Sequence, residues 1–171
     1  MPIGQTLLPE FDQEMGNTRK LLELVPDGKF DYVPHEKSMK LGRLASHVAE
    51  LPSWAKHTLD TEVLKLDVGQ QPFSANNRQQ LLDAFDKNVK EARAAIAAAS
   101  DEDLGKTWTL KFGEDTILSM PRTAVLRSVV MNHIIHHRAQ LGVYLRLNNV
   151  EFPGMYGPSA DEMQFWKAKG A

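Results

Sequence analysis

Apolar residues recur at helical spacing in four long stretches of the chain, and the spacing breaks between them. The first stretch runs from about Gln5 to Val25, with Leu8, Phe11, Met15, Thr18, Leu21, Leu22 and Val25 on one face. Pro9 is expected in its first turn, where a missing N–H costs nothing, and Pro26-Asp27-Gly28 ends it. After a loop over 29–37, Ser38 is read as the N-cap of a second helix reaching about Asp60. Its stripe is Leu41, Leu44, Ala45, Val48, Leu51 and Ala55, and Pro52 should bend or break it. Residues 61–73 read as irregular. A third helix starts at Ser74 or Asn76 and runs to about Ala99, with Leu81, Leu82, Phe85, Val89, Ala92 and Ile96 inward. Ser100-Asp101-Glu102-Asp103 ends it, with room for one further turn.

Residues 106–111 and 116–120 alternate polar and apolar around Phe112-Gly113-Glu114-Asp115, which predicts a short hairpin or extended arm. Pro121 suits the first turn of the fourth helix, from about Arg122 to Leu147, with Leu126, Val129, Val130, Ile134, Leu141, Tyr144 and Leu147 at helical spacing. Asn148-Asn149 stops it. A loop follows, and Ser159 caps a last short helix through about Lys169. The expected fold is all-α: one domain over residues 1–171, a four-helix bundle with a small hairpin or arm before the last long helix and a short C-terminal helix. The long connection between the third and fourth helices leaves their order in the bundle open.

Composition narrows the function more than the fold. The chain has 171 residues, 42 % of them hydrophobic, and a net charge of −2. No basic run exceeds two residues, so no nucleic-acid partner is expected. No stretch approaches the ~18 apolar residues of a membrane span. The N-terminus lacks the basic segment and apolar run of a signal peptide, so the expected location is cytoplasmic. Cysteine is absent, which leaves histidine, carboxylates, carbonyls and water as candidate metal ligands.

The candidate chemistry lies in Asn132-His133-Ile134-Ile135-His136-His137-Arg138-Ala139-Gln140. His133 and His137, four residues apart, sit one above the other on a helix, about 6 Å along the axis at roughly 1.5 Å per residue. That spacing lets two imidazoles share one transition-metal ion, as in the H-E-x-x-H zinc motif. Ile134 and Ile135 follow His133, so the glutamate of that motif is missing and a third ligand must come from elsewhere. His47 is the best candidate, since it borders the apolar stripe of the second helix between Leu44 and Leu51. A histidine beside an apolar face is more often a hydrogen-bonded core residue than a ligand, so the spacing alone does not decide.

His136 lies about 100° around the helix from His137 and is expected at the rim of the site. His35 and His57 read as surface or loop residues. Arg138 and Gln140 fit equally as groups that orient a ligand and as solvated positions. Glu50, one turn after His47, reads first as a surface carboxylate and second as an acceptor for an imidazole N–H. Trp54 is expected in the core, with Tyr144 and Tyr156 as candidate pocket walls. There is no Gly-rich phosphate loop, no G-x-S-x-G and no cysteine nucleophile.

Two segments resemble the DinB-like superfamily. Leu44-Ala45-Ser46-His47-Val48-Ala49-Glu50 is similar to its L-x-x-H segment, and 132–141 is similar to its H-x-x-x-H-R-x-Q segment. Residues 150–162 also resemble the stretch that often follows. The resemblance implies a four-helix bundle, often dimeric, with a divalent-metal site whose ligands here would be His47, His133 and His137. It also implies kinship with thiol S-transferases that use bacillithiol or mycothiol and with a mycothiol-dependent isomerase. The expected function is therefore a zinc- or nickel-dependent thiol S-transferase or hydrolase acting on a small molecule, with a low-molecular-weight thiol as a candidate cofactor. The alternative is a non-catalytic, metal-stabilised binding or dimerisation module. No family motif assigns a catalytic acid or base.

Overall fold

The computed structural model describes residues 1–67, 69, 71–163 and 169–170. Helix α1, Ile3–Leu22, buries Leu8, Phe11, Met15, Thr18, Leu21 and Leu22 on its inner face, and Val25, also expected there, is buried just past the helix end. It starts two residues earlier than the pattern suggested, so Pro9 lies inside the helix and not in its first turn. The second stretch is two helices, α2 (Leu41–Glu50) and α3 (Ser53–Asp60), interrupted at Leu51-Pro52. Pro52 has no N–H to continue the ladder, and the break falls where the sequence put it. The residue before α2 is Lys40, and no side chain caps this end, so Ser38 is not the N-cap.

Strand β1, Val63–Leu66, occupies part of the segment read as irregular. Helix α4 (Arg78–Ala98) follows, capped by Asn77, whose side chain accepts the Gln80 N–H at 2.9 Å; the caps expected at Ser74 or Asn76 are displaced by one to three residues. The further turn after it is α5, Asp101–Gly105, with Ser100 accepting the Asp103 N–H. The hairpin is formed by β2 (Thr107–Phe112) and β3 (Asp115–Pro121), paired antiparallel with Leu110 opposite Leu118. Gly113 takes φ +56° in its turn, a conformation that glycine adopts without a Cβ penalty. β1 adds to β2 in parallel, with Val63 opposite Thr109, and completes a three-stranded sheet in the order β1-β2-β3.

The last long helical stretch has three parts: α6 (Arg122–Val125), a π-helical segment (Leu126–Met131) and α7 (Asn132–Leu147). Pro121 ends β3 and precedes α6. Ser159 caps the helical turn that begins the C-terminal segment, its hydroxyl accepting the Glu162 N–H while the Glu162 carboxylate accepts the Ser159 N–H. The expected continuation of that helix past Met163 falls largely outside the described residues.

The all-α four-helix bundle is therefore corrected to a mostly helical fold with a small sheet, in which two of the four long helical stretches are interrupted. The main core lies among α1, α2, α4 and α7. A second, smaller core of Trp108, Leu110 and Val125 seats the sheet on α6. Trp108 is fully buried and its indole N–H donates to the Thr61 hydroxyl at 3.1 Å, which fixes the base of β1. Trp54 packs between the two cores. Among the described residues no helix is long and apolar enough to cross a membrane.

Candidate metal centre

α2 packs against α7, and this neighbourhood brings His47 to His133 and His137. Each offers one ring nitrogen, and the three nitrogens lie within 4.8 Å of one another. Nε2 of His133 is 3.4 Å from Nε2 of His47 and 2.9 Å from Nε2 of His137. A tetrahedral ion with ~2.0–2.1 Å bonds to nitrogen holds its ligands ~3.3 Å apart, so this spacing suits one ion. The His47 ring crosses those of His133 and His137 edge to face, with centroids 5.1 and 4.7 Å away, while His133 and His137 are tilted at 48° to each other.

The opposite side of each ring explains why Nε2 faces inward. Nδ1 of His47 is 2.8 Å from Glu50 Oε1, and Nδ1 of His137 is 2.7 Å from Gln140 Oε1. The carbonyl of Val129, inside the π-helical segment, accepts a hydrogen bond from the His133 ring. An oxygen facing a ring nitrogen places the proton on that nitrogen and leaves the other nitrogen's lone pair free. Three lone pairs then converge with no proton between them, an arrangement that a cation relieves.

Electrostatics keep the donors available. Burial pushes the His133 pKa down to about 4, helped by His137 and His47 beside it. Burial also lowers His137, against the Gln140 bond, which raises it. Burial alone would raise Glu50, but the hydrogen bonds from His47 and Arg43 outweigh it and hold the carboxyl below its usual value.

Glu50 is thus no plain surface carboxylate. Oε1 takes His47 and the Arg43 guanidinium at 2.9 Å, and Oε2 accepts the Phe73 N–H. Arg43, which the sequence reading passed over, also donates to the Phe73 carbonyl. The signal was there: Arg43, His47 and Glu50 stand at i, i+4 and i+7 on one helix face. His136 is exposed at the rim, 4.8 Å from the His137 ring, with Nε2 3.2 Å from the Gln140 amide nitrogen. His35 and His57 are exposed, outside the cluster. Tyr144 bonds the Met39 carbonyl and stacks edge-on against Tyr32. Tyr156 bonds Glu14 and lies under the Arg138 guanidinium. Arg138 orients no ligand; it is 2 % exposed and binds Glu14, Thr18 and Tyr156.

Two expected outcomes test this arrangement. Glu50→Gln and Gln140→Ala should each weaken metal binding by about 10- to 100-fold, read by competition with a chelating dye, because ligand-orienting partners typically contribute that much. In metal-free protein, His133 sits below the ~6.5 of an unfolded histidine. The unfolded chain therefore binds more protons between those values. The contribution of this group to stability is full above about pH 6.5 and is lost as the pH drops toward 4. Thermal melts across this window should show a falling Tm, and His133→Gln should flatten the slope. A Tm independent of pH in the parent would contradict the neutral-histidine cluster.

The sequence matches the model of the DinB family over residues 1–170, and the chain belongs to that family. No curated protein matches it. In fold it is similar to a DinB-like protein from Bacillus cereus, with TM-score 0.71 and 21 % identity, covering 89 % of this chain and 97 % of that one. A DinB-like protein from Bacillus subtilis gives TM-score 0.66 and 20 % identity over 88 % and 97 % of the two chains. The histidine cluster fits a metal-binding protein of this family.

Proposed function

We propose that the chain is a divalent-metal-dependent enzyme in which His47, His133 and His137 hold the ion, zinc or nickel being the metals that an all-imidazole site suits. The observation that carries this reading is the convergence of three Nε2 atoms whose rings are each anchored from behind. Three protein ligands are the usual complement of a catalytic zinc site, which keeps a fourth position open. When bound, the ion supplies Lewis acidity to a thiol or a water molecule entering there. The chain's own residues orient and discharge the site: Glu50 and Gln140 fix two rings, and burial keeps His133 unprotonated. The reaction class that follows is S-transfer from a low-molecular-weight thiol to a small electrophile, or hydrolysis of a small molecule. The family resemblance adds a homodimer, which light scattering tests.

A second reading has one observation in its favour. The ligands come from two helices, so an ion held by all three would pin α2 to α7 without any turnover. Metal-reconstituted protein incubated with a panel of thiols and electrophiles separates the two. Turnover that disappears in His47→Ala supports the enzyme. A metal-dependent rise in Tm with no turnover of any thiol, ester or amide supports the pin.

A further inference from the structure

We propose that the chain carries a second ligand site, on the face of α7 opposite the histidines, that takes a neutral apolar small molecule. Gly142 is nine residues on from His133, which at roughly 100° per residue places it ~180° around the helix. Around it opens a cavity of about 430 Å³, within the ~300–1,000 Å³ usual for small-molecule sites. Leu21 of α1 and Phe152 and Met155 of the tail meet Ile135, Ala139 and Gly142 of α7 there. None of the three clustered histidines lines it.

Glycine at position 142 is not demanded by packing. A Cβ there would lie 3.6 Å from Leu21 and 3.7 Å from Phe152, ordinary contact distances. A glycine inside a helix costs roughly 0.5–1 kcal/mol relative to alanine. Its missing side chain is therefore part of the open volume, on a helix that would be steadier without it.

The charges on the wall decide the class of ligand. Arg138 is paired with Glu14 and bonded to Tyr156. The Tyr156 hydroxyl in turn donates to Glu14. Arg146 is paired with Asp161 and lies 4.7 Å over the Phe152 ring. Among the described residues, the polar side chains on the wall, Arg138, Arg146 and Tyr156, are thus already engaged by the protein. A charged ligand would lose its hydration without gaining a partner, whereas a hydrocarbon or aromatic molecule loses only apolar contact with water. The mouth is open: Val143 is 58 % and Leu147 55 % exposed.

Titration with N-phenyl-1-naphthylamine, a neutral apolar fluorophore, tests the site on the full chain. Saturable binding of about one probe per chain is expected, unchanged by chelator, and weaker for its anionic sulfonate relative. Val143→Glu, at an exposed rim position, should keep the circular dichroism of the parent and bind at least about tenfold more weakly. Gly142→Leu, which places a side chain inside the cavity, should do the same. Absence of saturable binding, or binding unaltered in both variants, would overturn the proposal. So would equal affinity for the anionic dye. Binding that appears only when a dimer dissociates would assign this face to a second copy of the chain instead, and overturn it too. Because chelator strips the metal in one arm, failure here is separable from failure of the three-histidine reading.

Discussion

Replacing His133 with alanine is expected to abolish stoichiometric metal binding while leaving the fold intact. Its Nε2 lies 3.4 and 2.9 Å from Nε2 of His47 and His137. Structural zinc sites with four ligands bind with ~10–16 kcal/mol, so one ligand contributes on the order of 3 kcal/mol and its loss costs about a hundredfold or more in affinity. The side chain is only half-buried and belongs to neither apolar core. In metal-free protein its removal also relieves a desolvated ring facing two others. The metal-free variant should therefore melt no lower than the parent, while calorimetric titration with zinc should lose its tight phase. Unaltered tight binding would exclude His133 as a ligand.

Arg138→Met should produce the largest loss of stability in the molecule's polar interior. Arg138 and Glu14 are 2 % and 5 % exposed and 2.7 Å apart, with Tyr156 bridging them. Removing one partner of a buried pair leaves an uncompensated charge and costs about 3–5 kcal/mol. For a chain of 171 residues that lowers Tm by on the order of 10 °C. The same bonds tie α1, α7 and the tail together, so the tail should also become more open to proteolysis. Arg138→Met combined with Glu14→Leu should recover much of the loss, because an apolar pair leaves no orphan charge. A single variant as stable as the parent would show that the pair carries no such role.

The parts of the fold legible in the sequence were those set by local periodicity. Leu41, Leu44, Ala45, Val48 and Leu51 repeat along α2, and all are buried. The interruption at Pro52 follows from its missing N–H. β1 was not legible: four residues with only Leu64 and Leu66 turned inward give too short an alternation, and its partner β2 lies more than forty residues away. The π-helical segment was equally hidden, since Leu126, Val129 and Val130 fit an α-helix as well. Leu147 continued the stripe by spacing but stands 55 % exposed, at the end of α7.

At the site, the i, i+4 spacing of His133 and His137 and the position of His47 beside its stripe made these three residues candidates, the resemblance of 44–50 and 132–141 to the DinB-like segments selected them, and the three converge in the fold. What surrounds them was harder to read. Arg138 and Gln140 flank the pair alike in sequence, yet Gln140 bonds the His137 ring while Arg138 faces Glu14 across the core. A two-residue step turns a side chain about 200° around a helix, so adjacency in sequence gave no hint of which would reach the histidines. The Val129 carbonyl that orients His133 is backbone, and no residue type announces it.

Zinc K-edge X-ray absorption on protein reconstituted with one equivalent of zinc tests the central claim most directly. Three imidazole nitrogens at ~2.0–2.1 Å, with one lost in His47→Ala, are the expected result. A zinc environment of oxygens alone, or one identical in parent and variant, would contradict it.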